Sequence, residues 1–148
     1  MTTVSVANEI TGSVEHVFKQ FTDIERSAER VSSIKAIEML TPSGFELGAR
    51  WRETREVLGQ LDTAEMEVTS YEKNRGYTIT HHKGGVRIDT VFRFESVGQK
   101  TRVSIEFGFD PQGMPPGLLA PLEWVIAGKV RDVLQHDLDD LKGAVERK

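Results

Sequence analysis

The densest chemistry in this chain lies in the run Arg50-Trp51-Arg52-Glu53-Thr54-Arg55-Glu56-Val57. Read as a strand, successive side chains point to opposite faces. With Val57 inward, Arg55, Glu53 and Trp51 turn inward as well. Arg50, Arg52, Thr54 and Glu56 then face water, and they are the more polar set. A carboxylate and a guanidinium so come to lie on the buried face, two positions apart. Buried charge is costly unless paired, and a water-filled or ligand-filled cavity is one setting that tolerates it. Two readings stand side by side. Glu53 and Arg55 orient the polar end of a ligand while Trp51 stacks on its flat part, or the charges form a structural ion pair and Trp51 is ordinary core. A register slip of one residue would exchange the two faces.

His81 and Lys129 are the other candidates. His81 shares a face with Tyr77 and Ile79, while His82 points out, so the two histidines cannot chelate one metal. An imidazole on an apolar face is either a cavity acid or base or a hydrogen-bonded core residue. Lys129 falls within an apolar helical stripe of Leu122, Val125, Ile126 and Val133. Its ammonium either enters the interior to meet Glu53 or an anionic ligand, or its stem covers apolar surface and its head snorkels to the rim. His136 and Asp140 lie one helical turn apart, but two ligands on a wet face make no metal site, and none is expected. Gly44-Phe45-Glu46-Leu47-Gly48 lacks the lysine and helix of a phosphate loop. No nucleophile, base and acid set is visible, no catalytic residue is assigned, and no cofactor is implied.

These residues need elements to hold them. Thr2 to Ile10 alternates as a half-buried strand with Val4, Val6 and Ile10 on one side. Ser13 is placed to cap a helix carrying Val14, Val17, Phe18, Phe21 and Ile24, running to about Glu25. Ser27 to Val31 adds a further helical turn. Strands follow at 34–40, whose inward face is ambiguous, then 49–58, 64–71, 77–82, 86–97 and 101–109, with a turn at Gly59 to Asp62. Their short connections demand antiparallel neighbours. A long helix, Leu118 to Lys148, begins behind Pro111, Pro115, Pro116 and Gly117, with Pro121 in its first turn. Its apolar stripe passes from Leu118, Leu122, Val125, Ile126 and Val133 to Leu134, Leu138, Leu141 and Val145. Gly128 and Gly143 mark either close approaches to the sheet or tolerated defects. Trp124 lies opposite the main stripe, under a loop or at a homodimer contact.

With 148 residues the default is a single domain, 1–148, of α+β class. It is expected to be an antiparallel sheet of six to seven strands with the long terminal helix across its apolar side; the resemblance below implies that the sheet is curved and grips that helix. The chain has no cysteine, which removes thiolate chemistry and disulfides and is compatible with a reducing, cytoplasmic home. The N-terminus shows no secretory signal, and no apolar run is long enough for a membrane span. Net charge is −4 with signs well mixed and no basic stripe, so nucleic acid is not an expected partner.

Several stretches, in order, resemble the START-like (SRPBCC, helix-grip) superfamily, and its polyketide cyclase/dehydrase-type branch in particular. They are Ile10-Thr11-Gly12-Ser13-Val14-Glu15-His16-Val17-Phe18, Thr22-Asp23-Ile24-Glu25, Gly48 to Arg55, Tyr71-Glu72, Thr90 to Phe94, Lys100 to Val103 and Asp137 to Lys142. Many relatives carry a tryptophan and a proline after the first helix, where this chain has Ala28-Glu29-Arg30-Val31. The resemblance implies a cavity between sheet and helix that holds an apolar or amphipathic small molecule such as a lipid, sterol, polyketide or quinone. Walls are then expected from Met66, Val68, Ile79, Ile88, Phe92, Val103, Ile105, Phe107, Leu122 and Ile126. Polar groups would be Glu53, Arg55, His81, Lys129 and Thr90, with Trp51 beside them. The leading expectation is a binding protein, carrier or sensor, for one hydrophobic or aromatic ligand. The rivals are a cyclase or dehydratase, with His81 or Glu53 as base and Arg55 or Lys129 steadying an enolate, and an interaction module whose cavity is filled. Fold alone does not choose between them.

Overall fold

The computed structural model describes residues 2–42, 44–57, 59–83, 85–110 and 120–147, with backbone only at 2, 57 and 120–128. The chain runs β1 (Thr2–Thr11), α1 (Val14–Thr22), a 3-10 turn (Ile24–Arg26) and α2 (Ser27–Arg30). Then come β2 (Ile34–Met39), β3 (Arg50–Val57), β4 (Gln60–Glu72), β5 (Gly76–Lys83), β6 (Val86–Val97), β7 (Lys100–Asp110) and α3 (Ala120–Glu146). The seven strands form one antiparallel sheet in the order β1-β7-β6-β5-β4-β3-β2. It is the curved sheet and long helix of a helix-grip α+β fold.

Alternation sets the two faces. Across β6 and β7, Ile88 pairs with Phe109, Phe92 with Ile105 and Phe94 with Val103, so the apolar partners share the inner face. The alternation breaks at two places, and each break is a register shift. In β2 the shift lies between Ile34 and Ala36, and Ile34, Ile37 and Met39 are the less exposed residues. This accounts for the ambiguous patterning of 34–40. In β4 the shift lies between Val68 and Ser70, so that Tyr71 joins Val68 on the inner side. At Gly76 an added Cβ would lie 2.5 Å from the Phe92 carbonyl oxygen, so only glycine fits there.

Two boundaries differ from the sequence reading by three residues or more. The expected turn over Gly59 to Asp62 is shorter, because β4 already starts at Gln60, which pairs with Val57, and Gly59 supplies φ +80°. Helix α1 stops at Thr22 rather than near Glu25. Asp23 leaves helical geometry (φ −80°, ψ 71°), and the chain resumes as the 3-10 turn. At the other end of α1, Ser13 Oγ accepts from the His16 amide at 3.2 Å, as a cap should.

Helix α3 leans on β1. Leu134, Leu138 and Val145 are buried there with Val4, Val6, Ile10 and Val17. At the C-terminal end of β1, two backbone groups are taken by side chains of the helix. Lys142 Nζ donates to the Glu9 carbonyl at 2.8 Å, and the Thr11 amide donates to Glu146 Oε2 at 2.8 Å. A Cβ at Gly143 would meet nothing within 4 Å, so that glycine marks no close approach to the sheet. The expectations for Leu118, Pro111, Pro115, Pro116 and Gly117 fall outside the described residues. Those for Pro121, Leu122, Trp124, Val125, Ile126 and Gly128 fall outside the described side chains.

One half of the sheet's inner face is packed solid. Phe18 meets Phe94, Tyr77 and Tyr71 with ring centroids 5.0, 5.8 and 5.9 Å apart. Phe45, from the loop after β2, closes on Tyr77 at 4.7 Å and on Trp51 at 5.9 Å. Edge-on and tilted aromatic contacts of this kind add to simple burial. This plug fills the space under α1.

Candidate ligand-binding site

Beyond the plug the sheet and α3 part, leaving a cavity of about 560 Å³. Voids in packed interiors rarely exceed a water molecule, whereas small-molecule sites run from about 300 to 1,000 Å³. Its walls come from alternate positions of neighbouring strands: Ala64 and Met66 on β4, Tyr77 and Ile79 on β5, Ile88, Thr90 and Phe92 on β6, and Ile105 and Phe107 on β7. Val130, Val133, Leu134 and Leu141 of α3 close the other side. The Tyr77 and Phe92 rings stack at 4.6 Å and 18°, presenting a flat aromatic surface.

Of the residues expected at such a site, Trp51, Glu53, Arg55, Met66, Ile79, His81, Ile88, Thr90, Phe92, Ile105, Phe107 and Lys129 border the cavity. Val68 and Val103 do not. Both are fully buried in solid core, Val68 with Trp51 and Ala49, Val103 with the cluster around Phe18 and Phe94. They point the right way, but they sit at strand positions the plug already covers. Lys129 borders the cavity while remaining exposed, as a snorkelling side chain does.

The polar corner is built around Arg55. Its Nη1 donates to Asp137 Oδ2 at 2.6 Å and to Ser33 Oγ at 3.2 Å, while Nε and Nη2 donate to Glu53 Oε2 at 3.3 and 3.0 Å. Ser33 Oγ donates to Asp137 Oδ1 at 3.1 Å, and Trp51 Nε1 donates to Glu53 Oε1 at 3.2 Å. Alternation places Trp51, Glu53 and Arg55 here, as the sequence suggested. Side-chain exposures of 9% for Glu53, 13% for Asp137 and 21% for Arg55 put the cluster mostly out of water.

Electrostatics follow from two carboxylates sharing one cation. Burial pulls the Arg55 guanidinium down, but Asp137 and Glu53 outweigh it and hold it more firmly charged. Burial lifts the Asp137 carboxyl above its ordinary value. Arg55 opposes this and Glu53 reinforces it. Both partners move upward, Arg55 because two anions outweigh its burial and Asp137 because its burial outweighs the pull of Arg55.

Asp137, Ser33, Tyr77 and the Asp62–Lys83 pair (2.6 Å) were not among the expected site residues. For Asp137 a signal existed. Lys129, Val133, Asp137 and Leu141 recur every four residues, a single helical face, and all four border the cavity. The charge on that face disguised it. His81 borders the cavity with its Nδ1 buried and without a partner among the described residues. Burial lowers its pKa from the ordinary 6.5, against the opposing pull of Glu53, and favours the neutral ring. His136 lies 3.4 Å from Asp140, whose Oδ2 also accepts from the Ser32 amide and hydroxyl at 2.9 Å each, so this pair braces α3 against the start of β2. Among the described residues no cluster of three metal-binding side chains occurs, and no helix is long and apolar enough to cross a membrane.

Solved structures share this architecture. An aromatase/cyclase from a Streptomyces species superposes with a TM-score of 0.82 at 14% identity, covering 99% of this chain and 94% of that one. A START superfamily protein from Mycobacterium smegmatis does so with a TM-score of 0.79 at 19% identity, over 98% and 97%. A protein from Thermus thermophilus gives 0.80 at 17%, over 97% of each chain. At these identities the likeness is one of fold. No curated protein matches this chain in sequence. The family model described as "Polyketide cyclase / dehydrase and lipid transport" matches residues 1–146, and the chain belongs to that family, with the START-like fold its strand order and terminal helix display.

Proposed function

We propose that this protein binds one hydrophobic or aromatic small molecule in the cavity between β3–β7 and α3, as a carrier or sensor. The observation that carries this reading is the cavity itself: about 560 Å³, walled mainly by apolar side chains, with Glu53, Arg55 and Asp137 hydrogen-bonded together at one corner. An apolar hole of that size would forfeit dispersion contacts if it stayed empty, and an apolar guest restores them. Native mass spectrometry of the purified protein, followed by identification of the molecule released on denaturation, tests it. A stoichiometric small molecule is expected. Failure to retain one, together with failure to bind added hydrophobic probes, would overturn the reading.

His81 favours a second reading, an enzyme of the cyclase or dehydratase kind. A neutral imidazole with an unpartnered nitrogen at the cavity wall is suited to take a proton beside a carbonyl. His81→Phe separates the two. Intact affinity with lost turnover of a candidate substrate supports catalysis, and parallel loss of both supports a binding role.

A further inference from the structure

The geometry points to a ligand whose apolar body ends in a hydrogen-bond donor, a hydroxyl or an ammonium, and to rejection of the same body ending in a carboxylate. This rests on the reading that the cavity holds a small molecule, and it specifies the polar chemistry of that occupant.

Donors and acceptors around the cavity are unequally spent. Arg55 is the cation an anionic head group would be expected to meet. Yet it already makes four hydrogen bonds, two to Glu53, one to Asp137 and one to Ser33. A guanidinium has five N–H groups in a fixed plane, so little of it is free. Of the two carboxylates Asp137 is the less spent, since Glu53 already accepts two bonds from Arg55 and one from Trp51. Each has two oxygens able to accept about four bonds in all, and Asp137 accepts only from Arg55 and Ser33 among the described residues. One guanidinium against two carboxylates leaves this corner with an excess negative charge.

The remaining groups do not reverse that balance. Lys83 is paired with Asp62 at 2.6 Å. Lys129 lies eight residues before Asp137 on α3, roughly 12 Å along the helix axis, and is exposed, so it acts through water. His81 is held toward its neutral form and supplies no cation, while its Nδ1 is without a partner among the described residues. Thr90 is neutral and can donate or accept. A bound carboxylate would be a third anion at the corner. At most one guanidinium N–H is left to receive it, and any fuller contact with Arg55 would displace Glu53 or Asp137, leaving that group buried and unpaired. A hydroxyl or ammonium instead uses spare lone pairs and disturbs none of the existing bonds.

Calorimetric titration at pH 7.5 with 2-naphthalenemethanol, 2-naphthylmethylamine and 2-naphthoic acid tests this, because the ring is constant and only the head changes. The alcohol and the amine are expected to bind at least tenfold more tightly than the acid. Glu53→Gln, which removes one of the two negative charges, is expected to narrow that gap at least threefold. Asp137→Asn is the second variant should the first fail to fold. Should neither fold, the ranking in the unsubstituted protein decides. Binding of the acid as tight as that of either donor overturns the proposal, as does an unchanged gap in a folded variant. If all three bind alike, the cavity still holds small molecules and only donor selection falls. If none binds, donor selection is overturned, while the binding function falls only if the purified protein also retains no small molecule.

Discussion

At the scale of single residues, His81 gathers the strongest conflict between packing and charge. Its ring borders an apolar cavity, and burial lowers its pKa below 6.5 although Glu53 pulls the other way. The direction of this shift has a consequence for stability. In the unfolded chain the imidazole protonates as pH falls through about 6.5, whereas in the folded protein it resists until lower pH. The unfolded state therefore binds more protons across that window. Stability is full above 6.5 and declines as pH falls toward the folded value. His81→Phe is expected to flatten this part of the pH profile, measured by urea unfolding at half-unit steps between pH 5 and 7.5. An unaltered slope would show that His81 stays solvated. The same residue was readable from strand alternation with Tyr77 and Ile79, but its missing partner was not. Hydrogen-bond satisfaction depends on the groups that lie opposite, and sequence spacing says nothing of those.

At the scale of elements, the tie between sheet and helix is lopsided. Helix α3 packs along β1 through Leu134, Leu138 and Val145, while toward β3 it is held by Arg55–Asp137 and by Ser32 and Ser33 at the start of β2. The ion pair thus spans the open side of the grip. Arg55→Met would leave Glu53 and Asp137 facing each other without a cation. A loss of about 1–3 kcal/mol is expected, smaller than for a fully dry pair because the guanidinium keeps 21% exposure. Urea unfolding measures it, and a change below about 0.5 kcal/mol would mean the pair is not a strut. The two register shifts, in β2 and β4, belong to this scale as well. Each inserts one residue and turns the later side chains of its strand to the opposite face, which is why the alternation of 34–40 could not be assigned a face. The uninterrupted strands, β6 and β7, were legible over almost their full length. Helix α1 was legible except for its end, because the break at Asp23 is a local conformational choice with no strong breaker residue to announce it.

At the scale of the whole molecule, a large apolar cavity makes stability depend on its occupant. A ligand that binds only the folded state adds about 2.7 kcal/mol when present at 100 times its dissociation constant. For a domain of this length that corresponds to roughly 6–10 °C in melting temperature. Protein stripped of its ligand by unfolding and refolding is expected to melt lower by such an amount, and to recover when the released molecule is returned. Identical melting before and after would argue that the cavity is not occupied in the purified protein.

The features that the chain dictates locally are extensive: strand alternation on β1, β3, β6 and β7, the cap at Ser13, the antiparallel order imposed by short connections, and the inward face of Trp51, Glu53 and Arg55. These arise from periods of two and 3.6 residues and from turn chemistry, which are properties of neighbours along the backbone. Tertiary structure alone decided where the inner face is solid and where it is hollow. Val68 and Val103 have the same alternation as Met66 and Ile105, yet Phe18 and Phe45 bring a plug over one half of the sheet and leave the other uncovered. It also decided that Asp137 meets Arg55, since that pairing joins residues 82 positions apart and depends on how far α3 stands from β3.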